Sequence, residues 1–145
     1  MNKHSTFKAL LTAIFSIAVM ASASHSAHAV KADKDSLISK NFQVLSRNFR
    51  NIGNVDDNDE LLELLQESRA LTVENKDEVP SFMKADTAEY QEYRDAIDEF
   101  LLRIDAMLEF AEAGDTQGAI DHYNNNVRGS KRDFHRQFNI EESRR

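Results

Sequence analysis

The chain predicts an all-α fold, an up-down-up-down four-helix bundle, on three observations. Apolar residues recur at spacings of three and four, strand-like alternation occurs nowhere, and three breaks divide the chain into four segments. The breaks are Gly53 before "NVDDND", Pro80 within "NKDEVPSFMKAD", and Gly114 before Asp115 and Thr116. Each couples a helix stop to residues that cap the next helix: Asp or Asn after Gly53, Asp86 or Thr87 after Pro80, Asp115 after Gly114.

The first segment carries Ile38, Phe42, Leu45, Phe49 and Ile52, the stripe of a helix packed in a bundle. Leu61, Leu62, Leu64, Leu65 and Leu71 mark the second segment. Tyr90, Tyr93, Ile97, Phe100, Ile104, Met107 and Ala111 mark the third. The fourth, with Ile120, Tyr123, Val127, Phe134 and Phe138, is the weakest, because Gly118, the run Asn124 to Asn126 and Gly129 interrupt it. A glycine inside a helix costs on the order of 1 kcal/mol against alanine, so this helix depends most on tertiary packing.

Residues 1–29 read as a secretory signal peptide: Lys3 and Lys8, an apolar run from Ala9 to Met20 too short to span a bilayer, and small residues ending in Ala27-His28-Ala29. Cleavage after Ala23 is the alternative. Residues 30–145 then form one domain of ordinary size. The leader holds two of the 18 Lys and Arg and none of the 25 Asp and Glu, so its removal takes the net charge from −7 to −9. That balance argues against nucleic acid as a partner, since phosphate binding needs a basic face. The absence of cysteine excludes disulfides, thiolate zinc sites, iron–sulfur clusters and thioether-attached haem. A leader without a second long apolar stretch predicts a soluble, monomeric periplasmic protein that does not bind membrane after cleavage.

The topology gathers the start of the first helix, the Pro80 loop and the end of the fourth helix at one end of the bundle. That end collects Ile38, Phe42, Phe82, Met83, Tyr90, Tyr93 and the segment "RDFHRQF", Arg132 to Phe138. A carboxylate-bridged di-metal site needs Glu-x-x-His, but Ala119 and Arg132 stand three residues before His122 and His135. Nothing fixes a nucleophile against a histidine and an acid, which speaks against hydrolase chemistry. A haem site needs an axial ligand, an apolar slot and a basic mouth for the propionates, and His135, the aromatics and the cluster Arg128, Lys131, Arg132 and Arg136 supply those types. Each type also has a plainer origin: cations suit any helix C-terminus, aromatics at helical spacing are ordinarily core, and a histidine beside an apolar stripe is ordinarily structural.

The stretch "YRDAIDEFLLRIDAMLEFAEAG", Tyr93 to Gly114, resembles the third helix of the cytochrome b562 family without a gap. "RDFHRQF" is similar to the segment ending that family's fourth helix, and "FRNIGNVDDNDELLELLQESR", Phe49 to Arg69, also aligns in register. The resemblance covers nearly all of residues 30–145. It implies one non-covalent haem b per chain, electron transfer with a periplasmic redox partner, and no enzymatic activity. His135 falls on the family's histidine ligand. Lys131 falls where an arginine near the haem is usual, with a one-residue insertion upstream in helix four. The other ligand, a methionine near the start of helix one, is replaced by Phe42, which has no lone pair for iron.

Met83, in the loop at the correct end, is the one methionine suited to replace that ligand. The expected cofactor-binding set is therefore His135, Phe42, Lys131, Phe134 and Tyr93, with His135 on the iron and Met83 as candidate second ligand. Three states stay open: five-coordinate haem with Phe42 closing the far face, a His135/Met83 pair, or a haem-free bundle with Phe42 as core. The alternative function is a haem-free periplasmic interaction or chaperone-like bundle.

Overall fold

The computed structural model of the protein describes residues 36–137; the predicted leader and Phe138 lie outside the described residues. Helix α1 spans Leu37–Ile52, α2 Asn58–Asp77 and α3 Ala88–Glu112. The fourth rod has three parts: α4 at Thr116–His122, a π turn at Tyr123–Val127, and α5 at Ser130–Gln137. The protein is an all-α four-helix bundle with no strand among the described residues. Consecutive helices pack side by side, α1 on α2, α2 on α3 and α3 on α4. Ring contacts between Phe49 and Tyr123 (6.0 Å, nearly parallel) and between Phe42 and Phe134 (5.6 Å) then close the fourth rod onto α1.

The predicted caps form. Asp57 accepts from the Glu60 N–H at 2.8 Å, Thr87 from Tyr90 at 3.2 Å, and Asp115 from Gly118 at 2.9 Å. Of the two candidates after Pro80 it is Thr87 that caps, while Asp86 takes the left-handed conformation, φ 63°. Gly114 is also left-handed, φ 76°. Its N–H bonds to Ala111 O and that of Asp115 to Phe110 O, the two bonds that end a helix with a reversal. Gly118, which looks like a defect in the fourth stripe, has a packing reason. A Cβ there would collide with the capping carboxylate of Asp115 and lie 2.8 Å from Phe110 Cδ1.

The buried residues form two clusters. The larger joins Ile52, Leu61, Leu65, Ile104, Met107, Leu108, Ala111, Ala119, Tyr123 and Val127 at the end holding the α1–α2 and α3–α4 turns. In the smaller, only Met83, Tyr93 and Ile97 are fully buried, and Phe42, Phe82, Tyr90 and Phe134 pack against them half-exposed. Two ion pairs, Arg69–Asp105 at 2.7 Å and Lys76–Asp98 at 2.6 Å, lace α2 to α3. Both are largely solvated, so each contributes at most about 1 kcal/mol.

The α1 stripe differs from the predicted one. Leu45 and Ile52 are buried as expected, but Phe42 and Phe49 are half-exposed, and the other buried positions are Asn41 and Asn48. On α2 the buried set likewise includes Ser68, Thr72 and Asn75. These amides are buried because they pair across the helices. Asn41 Nδ2 donates to Asn75 Oδ1 at 3.0 Å and to Glu74 Oε2 at 3.1 Å; Asn48 Nδ2 donates to Glu67 Oε2 at 2.6 Å and Ser68 Oγ at 3.4 Å. Replacing Asn41 alone with leucine strands the Asn75 amide, fully buried and with Nδ2 already lacking a protein partner, at a cost of about 1–3 kcal/mol. Replacing Asn41 and Asn75 together with leucine removes both polar groups and is expected to restore most of the loss. Thermal melts of the two single variants and the double variant test this; a double variant as unstable as the sum of the singles would refute it.

Candidate functional site at the aromatic end

Tyr93 centres the smaller cluster. It is 1% exposed, its hydroxyl donates to Asn75 O at 2.8 Å, and its ring lies 5.8 Å from Phe134 and 6.1 Å from Tyr90. Burial, reinforced by Tyr90 and Glu78, pushes its phenol well above the ordinary 10.0. A group whose pKa is raised by folding contributes stability that is fully present below the unfolded value and lost as pH climbs above it. Stability is therefore expected to fall above about pH 10, and Tyr93→Phe should flatten that fall while losing one hydrogen bond, about 1 kcal/mol, at neutral pH. Denaturant melts between pH 7 and 11 read both effects.

Phe42 and Phe134 face each other from α1 and α5, tilted by 50°. Met83 is buried because the loop doubles back on itself, its N–H donating to Pro80 O at 2.9 Å. Four of the residues predicted from sequence, Phe42, Met83, Tyr93 and Phe134, thus share one cluster. His135 follows Phe134 on α5; it is half-buried, with Nδ1 screened from solvent. Lys131, one turn earlier, is exposed, as are Arg128, Arg132 and Arg136, the last paired with Asp133 at 3.2 Å.

Sequence reasoning missed the polar pairs behind Tyr93, because an asparagine in a helix reads as surface until its partner on the next helix is known. It also missed Ile97 and Leu101 as parts of the wall, although their apolar character was visible. His122 stands elsewhere. Its Nδ1 is 3.4 Å from Asn126 Nδ2, its ring 6.1 Å from Phe110, and it borders an open groove of ≈ 460 Å³ between α3 and the π turn. Among the described residues no three His, Asp or Glu side chains converge as metal ligands.

Residues 37–139 match the family model described as cytochrome b562, more than half of the chain. The chain belongs to the cytochrome b562 family. A search of the curated proteins returns no match. Membership of the cytochrome b562 family points to a haem-binding helical bundle of the electron-carrier type. No described helix is long and apolar enough to cross a membrane.

The residues at this end fit a b-type haem in chemistry: one imidazole, an aromatic wall, a buried thioether and exposed cations on the same short helix. The fit has one structural condition. Phe42 and Phe134 are in ring contact, so a macrocycle between α1 and α5 has to part them. α5 has no fully buried residue and is the element with least packing to lose by moving.

Proposed function

We propose that this member of the cytochrome b562 family is a periplasmic electron carrier that holds one haem b non-covalently through His135. The observation that carries the reading is the half-buried imidazole of His135 following Phe134, which packs into the aromatic cluster of Phe42 and Tyr93. Haem, when bound, supplies a one-electron iron couple. His135 holds the iron through a ring nitrogen. Phe42, Tyr93 and Phe134 wall the ring and exclude water, and Lys131 with Arg132 meets the propionates. Met83 is packed against Tyr93 and Ile97 in this cluster, so it would serve as part of the wall, and Phe42, which has no lone pair, would offer no second ligand.

The 5.6 Å contact between Phe42 and Phe134 favours a second reading, a haem-free bundle in which these rings are simply core. A haemin titration of the protein without its leader separates the two. The carrier reading expects a Soret shift that His135→Ala abolishes and Met83→Ala leaves in place, with a high-spin reduced spectrum. No shift, or one indifferent to His135→Ala, overturns it.

A further inference from the structure

We infer that the π turn at Tyr123–Val127, clasped by Arg103, is the positioning device that turns His135 toward the inside of the bundle. The inference rests on the haem reading only for its use, since it concerns where the imidazole points. The buried face of α4 is marked by Ala119, and Tyr123 continues it. In an unbroken α-helix each residue advances by about 100°, which puts His135 about 160° round from Ala119, on the solvent side, and brings Gln137 back to the buried face. The structure has the reverse: His135 is half-buried and Gln137 exposed.

A π turn accounts for that difference. The Arg128 N–H bonds to Tyr123 O, five residues back, at 3.0 Å, so this turn holds one residue more than an α turn. Absorbing one residue returns about 100° of phase. His135 then lies about 60° from Ala119 on one flank, and Phe134 about 40° away on the other. Phe134 from that flank contacts both Phe42 and Tyr93.

Arg103 of α3 holds the junction. Its Nη1 donates to Asn126 O at 3.0 Å, inside the π turn, and to Ser130 Oγ at 2.8 Å, at the first residue of α5. Ser130 Oγ donates to the same Asn126 carbonyl at 3.4 Å. One guanidinium thereby ties the end of the bulge to the start of the helix that carries His135, and α5 resumes α-type bonding with Asp133 N–H on Gly129 O at 3.3 Å.

The test uses the absence of native cysteine. Single cysteines are introduced as His135→Cys and Arg136→Cys in three backgrounds: the parent, a deletion of Asn125, and one alanine inserted between Lys131 and Arg132. Deleting Asn125 converts the π turn to an α turn and leaves α5 where it was. Thiol labelling is then expected to be roughly fivefold or more slower at 135 than at 136, in the parent and the deletion alike. The insertion turns α5 by about 100° and is expected to erase or invert that order. Equal labelling of the two positions in the deletion background, or a deletion variant that does not fold, overturns the inference. An unchanged order in the insertion variant overturns it too.

Haemin titration of the same backgrounds without the cysteines separates this inference from the haem reading. The deletion should keep the His135-dependent Soret band and the insertion weaken it by about tenfold or more. A parent that gives no band while the labelling order holds removes the carrier reading and leaves the register inference standing.

Discussion

In the haemin-loaded protein, Phe42→Met is expected to turn a high-spin reduced spectrum into a low-spin one and to tighten binding by about tenfold or more. The argument is chemical. A phenyl ring offers iron no lone pair, whereas a thioether does, and His/Met ligation also raises the reduction potential. The substitution is also cheap for the fold. Phe42 is half-buried at the edge of a cluster of mixed aromatic and aliphatic side chains, and swaps of similar volume usually cost below about 1.5 kcal/mol. Redox titration and reduced-minus-oxidised spectra read the change. A spectrum that stays high-spin in a folded variant would mean that position 42 does not face the iron.

Ile104→Ala is expected to lower stability by about 3 kcal/mol, within the 2–5 kcal/mol range of large-to-small core changes. Ile104 is fully buried among Leu61, Leu65, Met107 and Ala119, where four helical rods meet and none can collapse into the space without disturbing the others. For a domain of about 100 residues this lowers Tm by roughly 10–20 °C. Leu102→Ala, two residues earlier but 69% exposed, should stay within about 0.5 kcal/mol of the parent. Ile104 belongs to the larger cluster and His135 sits by the smaller, so the folded fraction of Ile104→Ala should bind haemin with the parent's affinity. Loss of haem binding at a temperature where the variant is folded would show that the two clusters act as one.

The helices and their ends were legible in the sequence because the signals are local. Asp57, Thr87 and Asp115 cap by reaching three residues along the chain, and Gly114 ends a helix through its own backbone. The gathering of Phe42, Met83, Tyr93 and Phe134 at one end was legible because short turns fix the direction of each rod. Other features depend on partners distant in sequence. Asn41 and Asn48 displace Phe42 and Phe49 from the deepest positions of α1 only because Asn75 and Ser68 arrive opposite them on α2. The interruptions at Gly118, Asn124 to Asn126 and Gly129 marked the fourth rod as irregular. That the middle one is a π turn was not legible, because the Arg103 bonds to Asn126 O and Ser130 Oγ that hold it come from α3, distant in sequence. Phe42 was legible as an aromatic near the start of the first helix, but its contact with Phe134 was not, since that distance is set by how closely α1 and α5 approach.

The two buried polar pairs between α1 and α2 have a consequence along the bundle axis. An apolar interface tolerates sliding by one helical turn, about 5.4 Å, since leucine packs on leucine at many heights. Asn41 opposite Asn75 and Asn48 opposite Ser68 do not, because any slip leaves buried amides with no one to bond. The α1–α2 hairpin therefore has a single stagger, and with it the height of Phe42, one residue after Asn41, is set against the loop that carries Met83. In this protein the fixed rail is the polar one, and the aromatic end is free to vary against it.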